Sequence, residues 1–185
     1  MKSLNPCKLI EENNSFELSA NANTDFICKY KQYTIDTASF YYQEHNGDFT
    51  IKANVSSIGS NAFDAVFLMV RQDSIKWIKL AVELGVDQCY NVVSVITDKW
   101  SDDANGELLP SNNCWLRITR KDDFFGLHYS QDGKVWRFVR AFGMEMSKSI
   151  SVGFGIQPPK GNDCNGIVKD FSISNIPIEN FRNGE

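Results

Sequence analysis

A chain of 185 residues with 42% hydrophobic and 23% charged side chains has the size and composition of one well-buried globular domain spanning residues 1–185. Its net charge of −4 argues against a nucleic-acid binder that works by broad phosphate neutralisation, leaving room only for a local basic patch. The opening MKSLNPCKLIEENN has no apolar run of signal-peptide length, and no later run approaches a membrane span, which predicts a cytoplasmic protein without membrane contact.

After a polar opening, residues 15–20 and 25–31 read as short strands and 37–43 as a third. Turn chemistry at 45–48 precedes residues 49–58, where Phe49, Ile51, Ala53 and Val55 alternate with Thr50, Lys52, Asn54 and Ser56 as in a half-buried strand.

Residues 64–84, DAVFLMVRQDSIKWIKLAVEL, read as two long strands joined by a tight connection. In the second, Ile78, Leu80, Val82 and Leu84 alternate with Trp77, Lys79, Ala81 and Glu83. The first is apolar on both faces, as in a strand covered on both sides. A five-residue loop at 72–76 sets Arg71 beside Trp77, whereas a four-residue loop buries an unpaired guanidinium at a cost of several kcal/mol, so the first register is favoured.

Residues 90–97 continue the pattern. Residues 98–113, DKWSDDANGELLPSNN, read as a long irregular loop in which Trp100 is either a stacking platform for a sugar or an anchor for the loop. Its 102–107 segment resembles a calcium loop only weakly: EF-hand spacing puts Asn112 where a bidentate Glu is required and Pro110 inside the loop, so a plain turn is preferred.

Strands at 115–121, 124–130 and 134–140 follow, joined by two-residue turns at Asp122-Asp123 and Asp132-Gly133. This register sets Arg117 opposite His128 and His128 opposite Arg137, stacks Ile118, Leu127 and Phe138 on the other face, and leaves Trp136 beside Tyr129. One helical turn is expected near 144–148. Strands at 151–157 and 167–174, separated by a breaker run at 158–163, complete an all-β chain. Ten or more short strands with regular turns predict a two-sheet antiparallel sandwich of jelly-roll type. The five cysteines are widely spaced without CxxC or a neighbouring His, so free thiols are expected, with no metal or other cofactor.

The runs Gly47-Asp48-Phe49-Thr50, LMVRQD at 68–73, Trp77-Ile78-Lys79, Val82-Glu83, Ser94-Val95, Trp115-Leu116-Arg117 and YSQDGKVW at 129–136, with Thr24-Asp25-Phe26 ahead of them, carry a resemblance over residues 24–173. The chain resembles an uncharacterised concanavalin-A-like lectin/glucanase-fold family, a domain of unknown function of the regulator-of-enolase type. The resemblance implies a sandwich related to those found beside carbohydrate-active modules, with oligosaccharides lying on a concave sheet face. It implies no catalytic residues.

The face predicted to hold a ligand carries Arg71, Trp77, Lys79, Glu83, Arg117 and His128, with Trp100 in the neighbouring loop. The resemblance implies a carbohydrate on this face, and the excess of cations over the one acid points to an anionic small ligand, with His128 titrating near neutrality if it is exposed. The other reading makes these side chains cross-strand ion pairs on the face of a protein-interaction scaffold. A glycoside hydrolase needs two neighbouring carboxyl groups, and Glu83 is flanked at i−2 and i+2 by Ala81 and Gly85, so a non-catalytic domain is the better expectation. With only His45 and His128 available, and neither near a nucleophile elbow, no catalytic triad is legible.

Overall fold

The computed structural model describes residues 1–161 and 164–185, so the last two residues of the breaker run lie outside it. Every regular element among the described residues is a strand. In chain order these are β1 (Lys2–Leu4), β2 (Lys8–Glu12), β3 (Ser15–Ser19), β4 (Phe26–Lys29), β5 (Tyr33–Asp36), β6 (Ser39–Asn46), β7 (Phe49–Ile58) and β8 (Ala65–Asp73). They continue with β9 (Lys76–Leu84), β10 (Tyr90–Asp98), β11 (Trp100–Leu108), β12 (Asn113–Lys121), β13 (Phe124–Ser130), β14 (Arg137–Gly143), β15 (Ser149–Gln157) and β16 (Asn165–Ser174).

Two seven-stranded antiparallel sheets form a sandwich. Sheet A runs β1-β6-β15-β8-β9-β10-β11 and sheet B runs β14-β13-β12-β7-β16-β3-β2, while β4 and β5 pair as a separate hairpin. Period-two alternation builds the core between the sheets. Val66, Leu68 and Val70 pair with Val82, Leu80 and Ile78, and this apolar row meets Ile51, Ala53, Val55, Leu116, Ile118 and Leu127 from sheet B.

The other face of sheet A carries a second core. Phe40, Ala65, Phe67, Met69, Trp77, Ala81, Val93 and Val95 are buried there beneath Phe26 and Cys28. That explains why β8 is apolar on both sides: its outward residues face a lid rather than water. The β4–β5 hairpin supplies that lid. Its attachments are polar: Lys79 Nζ donates to Phe26 O (3.1 Å), Ser101 Oγ accepts from Cys28 N (2.9 Å), and Arg71 Nη2 donates to Asp36 (2.8 Å).

Several sequence expectations need correction. The predicted loop at 98–113 is largely strand β11, whose polar residues on both faces suit an exposed edge that must not recruit another strand. Residues 144–148 form no helix. The Asp132-Gly133 turn is wider than two residues, because Asp132 Oδ1 accepts from Ser130 Oγ, Lys134 N and Val135 N and caps a loop at 131–136. A register shift between Leu127 and His128 then sets His128 opposite Phe138 and Tyr129 opposite Arg137, so Phe138 is on the His128 side and not in the core. The Arg117–His128 pairing across the Asp122-Asp123 turn and the Arg71–Trp77 pairing both hold, the latter with a bulge at Gln72.

Candidate functional site

The side chains expected on one face stand on two. Arg71, Trp77, Lys79 and Glu83 project from the outer face of sheet A, whereas Arg117 and His128 project from the outer face of sheet B, on the opposite side of the sandwich. Turn lengths fix pairing within a sheet, but not which sheet a hairpin joins, and this is why sequence reasoning merged them.

On sheet A the hairpin changes the role of each residue. Trp77 is 1% exposed and packs 6.3 Å from the Phe26 ring, so its indole is core rather than a sugar platform. Arg71 is latched to Asp36 and lies over the Phe26 ring at 5.3 Å. Lys79 donates to Phe26 O and to Gln157 Oε1 (2.8 Å), with Asp25 at 3.9 Å. The first two residues hold the lid down, and Lys79 does so while also reaching the cavity beside it.

That cavity, about 470 Å³, lies between the hairpin and the outer face of sheet A. Its sheet side presents Lys79, Glu83, Val95, Asp103 and Gln157. Register explains the cluster: Lys79 pairs with Val95 and Val95 with Asp103, so these three form one row across β9, β10 and β11, and Glu83 lies two pleats along β9 on the same face. The hairpin side presents Tyr30 and Tyr33, which are 60% and 51% exposed, and Phe63 with Lys160 above its ring (4.4 Å) closes a flank. Trp100 stands 5.4 Å edge-on to Tyr30, at the sheet edge beside the cavity.

The electrostatics are mixed rather than positive. Burial pushes the Glu83 carboxyl up to about 8, with Asp103, Asp25 and Asp64 reinforcing it against the opposing pull of Lys79. Asp103 is raised as well, chiefly by burial. At neutral pH Glu83 is therefore a neutral acid able both to donate and to accept a hydrogen bond. Asp103, Gln157, Tyr30 and Tyr33 were missed in the sequence. Asp103 sat in an apparent loop, and nothing local shows that the hairpin bearing the tyrosines folds over sheet A.

On sheet B, His128 is fully buried. Its Nε2 donates to Phe181 O (2.8 Å) from the C-terminal segment. Burial and the Arg117 charge push its pKa down to about 4, so the exposure on which titration near neutrality depended is absent. Arg117 is 6% exposed, donates through Nη2 to Gly184 O (2.8 Å) and lies 4.1 Å from the Trp136 ring, which the sequence had placed beside Tyr129.

A family model described as "Protein of unknown function (DUF1349)" matches residues 4–176. The Saccharomyces cerevisiae protein named "Regulation of enolase protein 1" is 27% identical over 152 residues, covering 80% of this chain and 75% of that one. A crystal structure of a functionally unknown protein from S. cerevisiae superposes with a TM-score of 0.89 at 24% identity, covering 96% of this chain and 97% of the other. The carbohydrate-binding module CBM66 from Bacillus subtilis superposes with a TM-score of 0.62 at 12% identity, covering 92% of both chains. At these identities the two structural matches show a shared fold.

Proposed function

The chain belongs to the DUF1349 family of unknown function, and from that premise we propose that it is a non-catalytic binding domain for a neutral, polyhydroxylated ligand of the carbohydrate class. The observation that carries this reading is the cavity under the β4–β5 hairpin, where exposed Tyr30 and Tyr33 border a sheet face bearing Glu83, Asp103 and Gln157. Sugars present apolar C–H faces and a rim of hydroxyls. Tyrosine rings suit the first, and the Glu83 carboxyl and the Gln157 amide, which both donate and accept, suit the second, with the Asp103 carboxyl as a further acceptor. A volume of about 470 Å³ suits one or two sugar units. The similarity in fold to a carbohydrate-binding module supports the same class.

The charges lining this cavity are close to balance. Lys29, Lys79 and Lys160 stand against Asp25 and Asp103, with Glu83 neutral, so little net charge is left to select an anion.

Titration calorimetry with a panel of neutral oligosaccharides tests the proposal. At least one should bind saturably, and Tyr33→Ala should weaken it roughly five- to tenfold, the loss of about 1 kcal/mol of ring stacking, without lowering stability because the ring is half exposed. Silence across the panel together with one stoichiometric protein partner would instead favour an interaction scaffold.

A further inference from the structure

We infer that the outer face of sheet B holds a second site, for the phosphate or sulfate group of a small organic ester, built around Arg117 and Lys52. It is independent of the sugar cavity, which lies on the other side of the sandwich.

The first observation is a charge conflict. The register sets His128 opposite Arg117, Arg117 opposite Lys52 and Lys52 opposite Ser172, one continuous row across β13, β12, β7 and β16. Two like charges directly opposite on antiparallel strands destabilise the pair unless an anion lies between them. Among the described residues neither Arg117 nor Lys52 forms an ion pair. His128 can supply no countercharge, because its Nε2 donates to Phe181 O and protonation would only add a further positive charge.

The second observation is that Arg117 is held still with bonding capacity to spare. Its guanidinium is pinned between the Gly184 carbonyl and the Trp136 ring, and its buried Nε has no acceptor. An immobilised, unsatisfied guanidinium is costly in a structural role and preorganised for an oxyanion.

The third is space with suitable donors. A cavity of about 350 Å³ lies against Arg117 and Lys52, with the hydroxyls of Ser172 and Ser174 beside it and Trp136 at one side, while the Thr50 hydroxyl on its wall already donates to Ile176 O (2.9 Å). Ser172 and Ser174 sit opposite Lys52 and Thr50, so the hydroxyls share the face of the cations. Two cations and two serine hydroxyls match the several oxygens of a tetrahedral anion better than the two of a carboxylate. Ile176, Pro177 and Ile178 give the cavity an apolar wall, which suits the organic part of an ester.

The test is a titration of the ¹⁵N-labelled full chain with inorganic phosphate, sulfate and acetate, at ionic strength held constant with sodium chloride. Phosphate or sulfate should shift the amide resonances of Lys52, Arg117 and Ser172 saturably, with acetate at least tenfold weaker. The tighter of the two tetrahedral anions identifies the ester type. Lys52→Ala should weaken binding at least tenfold and Lys52→Arg should restore it, while Lys121→Ala, an exposed lysine outside the cavity, should leave it unchanged. Lys52 is itself exposed, so its variants test the site without risking the core. Equal responses of wild type and Lys52→Ala, acetate binding as tightly as phosphate, or no saturable shift would each overturn the inference. None of these outcomes bears on the sugar cavity, whose variant Tyr33→Ala should bind phosphate or sulfate as wild type does.

Discussion

Glu83→Gln should remove a pH dependence of stability that wild type shows between about 4.5 and about 8. The carboxyl has an ordinary value of 4.5 and is raised to about 8 in the folded protein, with burial as the main cause. Between those values the folded protein keeps a proton that the unfolded chain has released. Folding then binds protons, and stability falls as pH rises. The contribution is fully present below about 4.5 and gone above about 8. At about 1.4 kcal/mol per pH unit, wild type should lose on the order of 3–5 kcal/mol relative to Glu83→Gln across that window. Urea unfolding of both proteins at pH 5 and pH 8.5 measures it. Parallel losses in the two would show that Glu83 ionises freely and that the cavity is wetter than the structure makes it.

Phe26→Ala should destabilise the protein by about 3–5 kcal/mol and abolish the proposed ligand binding under the β4–β5 hairpin together. Phe26 is fully buried, lies edge-on to Phe67 (6.0 Å) and near Trp77, and its carbonyl accepts from Lys79. Truncation opens a hole between the hairpin and sheet A and loosens the Lys79 and Arg71 latches that depend on close approach. Trp77, 1% exposed beneath the lid, then meets water, so tryptophan emission should shift to the red. A variant within 1 kcal/mol of wild type, with unshifted emission, would mean that the hairpin rests on sheet A without being held by it.

These two residues mark the boundary of what the sequence makes legible. The β8–β9 pairing follows from one local cost, the burial of Arg71 in the inter-sheet core, and the structure pairs Arg71 with Trp77. The β12–β13 pairing follows from the length of the Asp122-Asp123 turn, and Arg117 meets His128. The sandwich follows from alternation repeated strand after strand. Beyond this range the determinants are tertiary. Nothing near Phe26 shows that its ring covers Trp77, some fifty residues away. The edge strand β11 has no buried face to impose a pattern, so Asp103 reads as a loop acid until its neighbours are known. The register shift at Leu127/His128 arises from the Asp132 cap, because an Asp-Gly pair is compatible with both a two-residue turn and the longer loop found here. Of the residues expected on one face, Lys79 and Glu83 line the candidate cavity, Arg71 and Trp77 support its lid, Trp100 stands at the sheet edge beside it, and Arg117 and His128 belong to another surface.

The most direct measurement of the proposed function is a map of amide shifts in the ¹⁵N-labelled chain on titration with a saturating neutral oligosaccharide. Binding beneath the hairpin predicts perturbations centred on Tyr30, Tyr33, Glu83 and Asp103, with Lys52 and Arg117 on the opposite sheet unmoved. Perturbations centred on sheet B, or spread without focus over both faces, would contradict it.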